Sequence, residues 1–231
     1  MLRRTSFFLY RDTAPEGERL EMLQGLSYLL TACDGVVAAD YGLDLLGGSQ
    51  PLVETYPWKR TPRWHSRSDG PPSNHDVAFH LDFEDAAGLA AYESDPRVEQ
   101  VLEFNQGAIV PELTTEIDWR YEGKPLTRFG GVRHSGMFLW LDEADEAATT
   151  AAIDGLRRLG GEDGVESVVI GQGSGSARGD FDWIVDLQLA DEAAARTLLE
   201  GGAYREAIGA VAAATRHEWT SRVTHVMRGR G

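Results

Sequence analysis

Asp76-Val77-Ala78-Phe79-His80-Leu81-Asp82-Phe83-Glu84-Asp85-Ala86-Ala87 reads as a strand running directly into a helix. The chain repeats this unit as Asp182-Trp183-Ile184-Val185-Asp186-Leu187-Gln188-Leu189-Ala190-Asp191-Glu192-Ala193, at an offset of 106 residues. In both copies Asp opens a run with apolar residues at every second position, the period of a half-buried strand. A short acidic turn then starts an Ala-rich segment with helical spacing. Self-similarity at long period points to duplicated modules.

The flanking sequence repeats too. Arg3-Arg4-Thr5-Ser6-Phe7-Phe8-Leu9-Tyr10-Arg11-Asp12 reads against Arg133-His134-Ser135-Gly136-Met137-Phe138-Leu139-Trp140-Leu141-Asp142 at an offset of 130. Asp34-Gly35-Val36 with Tyr41-Gly42 reads against Asp163-Gly164-Val165 with Ile170-Gly171 at 129. The fall from 129 to 106 gives the first copy about 23 extra residues, between Gly42 and Asp76. Each copy reads strand, helix, strand, strand, helix, strand. Two repeats of this length are too few and too long for a solenoid, so the expectation is two fused α+β modules, 1–122 and 132–231. The segment 123–131, with Gly, Lys, Pro and Gly-Gly, joins them.

Composition sets the outer limits. The chain has 231 residues, 42% of them hydrophobic, which suffices for packed cores. A net charge of −15 argues against nucleic acid or an anionic membrane surface as partner, because neutralising phosphates needs clustered Lys and Arg. Basic residues are nearly all Arg, with Lys59 and Lys124 the exceptions. Cys33 is the single cysteine, so no internal disulfide forms and a reducing cytoplasm is the expected location. Its place at the apolar end of a helix suits a buried, inert thiol. The apolar run 6–10 is too short for a signal peptide, and nothing approaches the apolar length of a membrane span.

Along the first copy, strand 5–10 leads to a helix opened by Pro15, with Glu16 and Glu18 in its first turn. Leu20, Leu23, Leu26, Leu29 and Leu30 supply its expected buried stripe, and 36–43 is the second strand. After the strand over 76–83, the candidate inward residues are Leu89, Tyr92, Val101, Leu102 and Phe104, with Asp95-Pro96 interrupting the helix. Thr114 opens the last strand. In the second copy the pattern predicts strands over 133–141, 165–171, 181–189 and 217–227, with helices over 143–159 and 191–214. Gly171-Gln172-Gly173-Ser174-Gly175 lacks the spacing of a phosphate loop and precedes a strand, so it reads as a hairpin turn.

The inserted loop 47–74 holds five of the nine prolines together with Trp58, Lys59, Arg60, Arg63, Trp64 and His65. A loop of this length is commonly functional or disordered. Its tryptophans gain most by covering something, so the loop is expected to act as a lid over the pocket of one copy. Its cationic residues would then hold an anionic substrate group. In the strand, His80 and Asp82 alternate with Phe79, Leu81 and Phe83. The aromatic and aliphatic set is therefore expected to face helices, with His80 and Asp82 on the other face in interface hydrogen bonds. His217 and His225 share a strand face, yet no third ligand stands at convincing spacing, so no metal is expected. No serine nucleophile elbow is present.

Arg133-His134 opening a strand that ends at Asp142, the Gly-Val turns, and Phe83-Glu84-Asp85 leading to Tyr92-Glu93-Ser94-Asp95-Pro96 resemble the stress-responsive A/B barrel (Dabb) family of the dimeric α+β barrel group. The resemblance spans nearly the whole chain as two copies. It implies ferredoxin-like βαββαβ modules whose antiparallel sheets pair into an α+β barrel. Family members usually pair two chains; a tandem chain would close the barrel internally, as a monomer with an internal pseudo-dimer, or as a homodimer.

The family includes cofactor-free polyketide cyclases such as olivetolic acid cyclase, a plant hydroxynitrile lyase, and stress proteins without settled chemistry. Some proteins of this architecture carry haem. What the resemblance implies here is a cofactor-independent cyclase or lyase using acid–base catalysis on an aromatic or polyketide-like small molecule between sheet and helices. Tyr92 matches the motif tyrosine and His134 the strand-one histidine, so both are candidate catalytic residues, and His65 could stand in for a missing histidine. Arg4 replaces the strand-one histidine of the first copy, Asp95 and Val98 replace the motif histidines, and Leu198, Gly201 and Tyr204 occupy those positions in the second. Candidate substrate-binding residues are Arg4, Trp58, Arg63, Trp64, Phe79 and Tyr204. A non-catalytic ligand-binding or stress-response protein is the competing expectation, since neither copy carries the full set.

Overall fold

Aspartates at matched positions start the matched helices. The computed structural model describes residues 1–11, 13–45, 75–124, 128–174, 181–216 and 221–230. The first half runs β1 (Leu2–Phe8), α1 (Glu16–Ala32), β2 (Val36–Leu43), β3 (Val77–Phe83), α2 (Ala86–Glu93), α3 (Pro96–Asn105) and β4 (Thr115–Arg120). The second runs β5 (Val132–Phe138), α4 (Glu146–Arg158), β6 (Val165–Gln172), β7 (Trp183–Leu189), α5 (Glu192–Glu200), α6 (Gly202–Ala214) and β8 (Ser221–Val226), with a short β9 (Arg228–Arg230) at the end. Asp85 caps α2 by accepting from the Ala87 and Gly88 amides at 2.9 and 3.0 Å, and Asp191 caps α5 through Ala194 at 2.8 Å. These caps satisfy amides that a helix start leaves open. The single helix expected over 191–214 is two, because Gly201 takes an extended backbone between α5 and α6. Gly201 stands where Asp95-Pro96 divides α2 from α3.

Both sheets are antiparallel and share one strand order, β4-β1-β3-β2 in the first half and β8-β5-β7-β6 in the second. Each half is thus a ferredoxin-like module. The period-two reading of β3 holds: Phe79, Leu81 and Phe83 pack with Met22, Leu26 and Leu29 of α1. The equivalent face of β7 (Val185, Leu187, Leu189) packs with Leu156, Tyr204, Ile208 and Val211. Two expected core residues point outward, Leu20 at 56% and Phe104 at 64% exposure. The buried face of α1 follows Met22, Leu26, Leu29 and Leu30, and that of α3 follows Val98 and Asn105. Both outward residues are out of phase with these spacings. No helix among the described residues is long and apolar enough to cross a membrane.

The two sheets close on each other along two seams. At one, Trp119 bridges Gly173, and the Ser174 amide donates to the Asp118 carbonyl at 2.7 Å. At the other, β9 adds to the β2 edge with Tyr41 opposite Arg228, while the Leu45 amide donates to the Thr224 carbonyl at 2.6 Å and the His75 amide to Arg222 at 3.2 Å. The sequence pattern did not indicate β9, whose three residues are too few for a period. Sheet edges that would otherwise invite foreign strands are thereby paired within one chain. A Cβ at Gly171 would collide with the Trp119 ring across the first seam. Gly171→Ala should therefore cost about 1–3 kcal/mol by overpacking. Urea denaturation would measure this, and an unchanged midpoint would mean that the seam is looser than described.

Between the sheets lies a third core, with an apolar part formed by Phe7, Ala78, Ile117, Trp119, Met137, Ile184 and Val223. The remainder is charged and fully buried. Arg3 grips Asp82 with Nε and Nη2 at 2.7 and 2.6 Å and reaches Asp186 of the other module at 3.3 Å. Tyr121 donates to the same Asp82 at 2.7 Å. Arg133 returns the exchange, binding Asp40 of the first module at 2.5 Å and Asp186 at 3.3 Å. His80 Nδ1 lies 3.0 Å from Thr5 Oγ1, and His225 Nε2 lies 2.8 Å from Asp40 Oδ1. His80 and Asp82 thus occupy the interface face expected for them.

Candidate functional site

Alternation along β1 places Arg4, Ser6 and Phe8 on the helix side of the first sheet, and along β3 it places Phe79 and Leu81 beside them. Helices α2 and α3 cross this face and leave a cleft of about 730 Å³. Phe8, Leu26, Phe79, Leu81 and Ile109 form its apolar floor, Arg4, Ser6, Tyr92 and Glu116 its polar end, and Glu93, Glu99 and Glu103 lie along the helices. Arg4, Phe79 and Tyr92, chosen separately from sequence, meet here.

Arg4 holds together the polar end of the cleft. Its Nε and Nη2 each donate to Asp118 at 2.8 Å, Nη2 also donates to Glu93 at 2.6 Å, and Glu116 lies 3.4 Å away. Burial opposes its charge, yet Asp118 and Glu116 more than compensate and raise its pKa. The guanidinium fork is therefore committed to carboxylates, and the described cleft is acidic. Glu116 accepts a further bond from Ser6 Oγ at 2.7 Å. Tyr92 is buried against Phe83, with ring centroids 5.7 Å apart. Burial first, and then the Glu116 charge, raises the phenol's pKa, so Tyr92 stays protonated. Sequence reasoning missed Glu116 and Asp118, although Thr115-Glu116-Ile117-Asp118-Trp119 alternates visibly and sets both carboxylates on one face.

His134 and Tyr204 meet in the other module. The Tyr204 hydroxyl lies 2.6 Å from His134 Nε2, and His134 Nδ1 lies 2.7 Å from Thr224 Oγ1. Both side chains are buried, and burial followed by the Arg222 charge pushes the imidazole pKa down to about 3. His134 is thus neutral, with both ring nitrogens engaged. The described candidates form two groups on separate modules. Trp58, Arg63, Trp64 and His65, and the expected lid of 47–74, lie outside the described residues, as does His217.

Cys33 is buried, and desolvation pushes its thiol up to about 11, in keeping with the inert role expected for it.

No protein-family model matches the chain, and no curated protein matches it. Solved structures do. An anthrone oxidase-like protein superposes with a TM-score of 0.65 at 12% identity, covering 99% of this chain and 92% of the other. Two proteins described as "putative monooxygenase" also match. The one from Fusobacterium nucleatum scores 0.59 at 10% identity, covering 100% and 93% of the two chains. The one from Lactobacillus acidophilus scores 0.51 at 13% identity, covering 99% and 93%. At these identities the likeness establishes the fold: a single chain carrying two ferredoxin-like modules of the α+β barrel kind.

Proposed function

We propose that the chain is a cofactor-independent small-molecule enzyme of cyclase or lyase type, acting on an aromatic or polyketide-like substrate in the first module's cleft. The observation carrying this reading is the meeting of a buried, protonated Tyr92 and the Glu116 carboxylate at the end of a cleft of about 730 Å³ with an apolar floor and an acidic rim. The resemblance of the Tyr92 stretch to the Dabb motif supports the acid–base reading, and the name of the anthrone oxidase-like structural neighbour supports an aromatic small-molecule substrate and nothing finer.

In this scheme Glu116 takes a proton from carbon α to a ketone. Tyr92 donates a hydrogen bond to the enolate oxygen as charge develops there. The enolate carbon then attacks a second carbonyl of the same molecule, whose π electrons move to its oxygen, and that alkoxide takes the proton back from Glu116, restoring the carboxylate. Arg4 is a positioning residue, holding Glu116, Asp118 and Glu93 in place. Phe8, Phe79 and Leu81 would support the ring system and keep water from the enolate.

The test uses anthrone and a linear poly-β-keto thioester as probes, with binding followed by quenching of protein fluorescence and turnover by absorbance. Tyr92→Phe should retain probe affinity within a few-fold and lower kcat about 10²–10³-fold, as expected for loss of a single oxyanion donor. Equal turnover by the variant would reject the assignment. The competing reading, a ligand-binding protein without turnover, draws on the saturation of Arg4 by carboxylates at the position of the family histidine. Probe binding without any turnover by the unaltered protein would favour it.

A further inference from the structure

We propose that Asp40, His80 and His225 form a metal site inside the barrel, taking one first-row transition-metal ion of the Zn²⁺ type per chain and stapling the modules together. Each residue offers one ligand atom, and the three atoms lie within 4.8 Å of one another. All three side chains are completely buried. Asp40 comes from β2 and His80 from β3 of the first module, and His225 from β8 of the second. The sequence reading set a metal aside for want of a third ligand, and the fold supplies both missing partners of His225.

The surroundings fit a cation. His80 can donate Nδ1–H to Thr5 Oγ1 at 3.0 Å, which leaves the lone pair on Nε2, a buried atom with no hydrogen-bond partner among the described residues. A ligating histidine usually donates its other ring N–H to a neighbouring acceptor, which fixes the ring's tautomer and orientation. Asp40 Oδ1 lies 2.8 Å from His225 Nε2, while Oδ2 is held by Arg133, so one oxygen is oriented and the other faces the imidazole. The imidazole rings stack at 5.3 Å between centroids, inclined by 15°. A Cβ on Gly42 would press on His225 Cδ2 at 2.7 Å, so the glycine makes room for that ring. Among the described charges of the barrel interior, Asp40, Asp82 and Asp186 face Arg3 and Arg133, leaving one negative charge in excess. Buried uncompensated charge is costly, and a cation relieves it.

Two imidazole nitrogens and one carboxylate oxygen suit zinc, cobalt or nickel better than calcium or magnesium, which prefer all-oxygen cages. Bonds of about 2.1 Å place ligand atoms roughly 3.4 Å apart in a tetrahedron, so a set spread over as much as 4.8 Å must tighten by about 1.4 Å at its widest. Three protein ligands leave a fourth position for water. The stoichiometry follows from the broken symmetry of the repeat. The strand registers match Asp40 to Val169, His80 to Asp186 and His225 to Trp119, and that trio cannot repeat the site.

The test is metal content by plasma mass spectrometry on the full chain, as purified without chelators and after unfolding and refolding with Zn²⁺. Stoichiometric zinc is expected, with a melting temperature that rises by several degrees with Zn²⁺ and falls with EDTA. Co²⁺ in its place should give visible absorption bands of a low-coordinate nitrogen–oxygen site. His225→Gln and Asp40→Asn should lose uptake while keeping the circular dichroism of the fold. Absence of stoichiometric metal in both preparations would overturn the proposal and leave a proton on the Asp40–His225 pair as the neutralising cation. Full uptake by folded His225→Gln would overturn it too, by placing the metal elsewhere.

Discussion

Arg3→Met should destabilise the protein by about 3–5 kcal/mol, the usual cost of stranding a buried charge by removing its partner. Arg3 is completely buried and is the only described guanidinium that Asp82 touches, and it reaches across to Asp186 as well. In the variant Asp82 keeps only the Tyr121 hydroxyl among the partners described for it. Methionine matches much of the lost volume, so the effect reads electrostatics rather than a cavity. The double variant Arg3→Met/Asp82→Asn should recover a large part of the loss, because no buried carboxylate is then left unpaired. Urea unfolding of the four proteins in this cycle measures both numbers. A single-variant cost under about 1 kcal/mol is typical of an exposed pair and would contradict a dry, shared barrel interior.

Acidification should be the second large effect, and its direction follows from two buried histidines. Desolvation pushes His75 down to about 4, against the pull of its hydrogen bond to the Leu113 carbonyl, and pushes His134 down to about 3. Both are neutral in the native state, whereas an unfolded histidine titrates near 6.5. Their contribution is complete above about pH 6.5. It falls as pH drops, because the unfolded chain then binds protons that the native chain refuses. Each group loses up to about 1.4 kcal/mol per pH unit once pH is well below its unfolded value, so the pair removes about 3 kcal/mol between pH 6.5 and pH 5. The loss levels off as pH approaches the native values of 3–4. Urea midpoints at pH 7.5 and pH 5 would show this; equal stability at both would mean that these imidazoles reach water.

Much of this was legible in the sequence wherever information is local. Asp85 and Asp191 are caps at one offset, and the strand period alone placed Phe79 and His80 on opposite faces. Arg4, Phe79 and Tyr92 converge because each sits at a fixed phase of a regular element. The charged barrel interior was not legible, because Asp40 meets Arg133 and His225 across 93 and 185 residues, with no periodicity linking them. The committed state of Arg4 was equally hidden: its role depends on β4 lying beside β1, a neighbour relation that sequence does not spell out. The lone β9 pairs through backbone atoms, so its side chains leave no pattern.

In the proposed function the working pocket belongs to the first module, on the helix side of its sheet. A crystal structure of the protein with bound anthrone tests it most directly. Ligand density is expected between β1, β3 and helices α2 and α3, in contact with Tyr92 and over Phe79. Density at His134 and Tyr204 in the second module, with the first cleft unfilled, would contradict it.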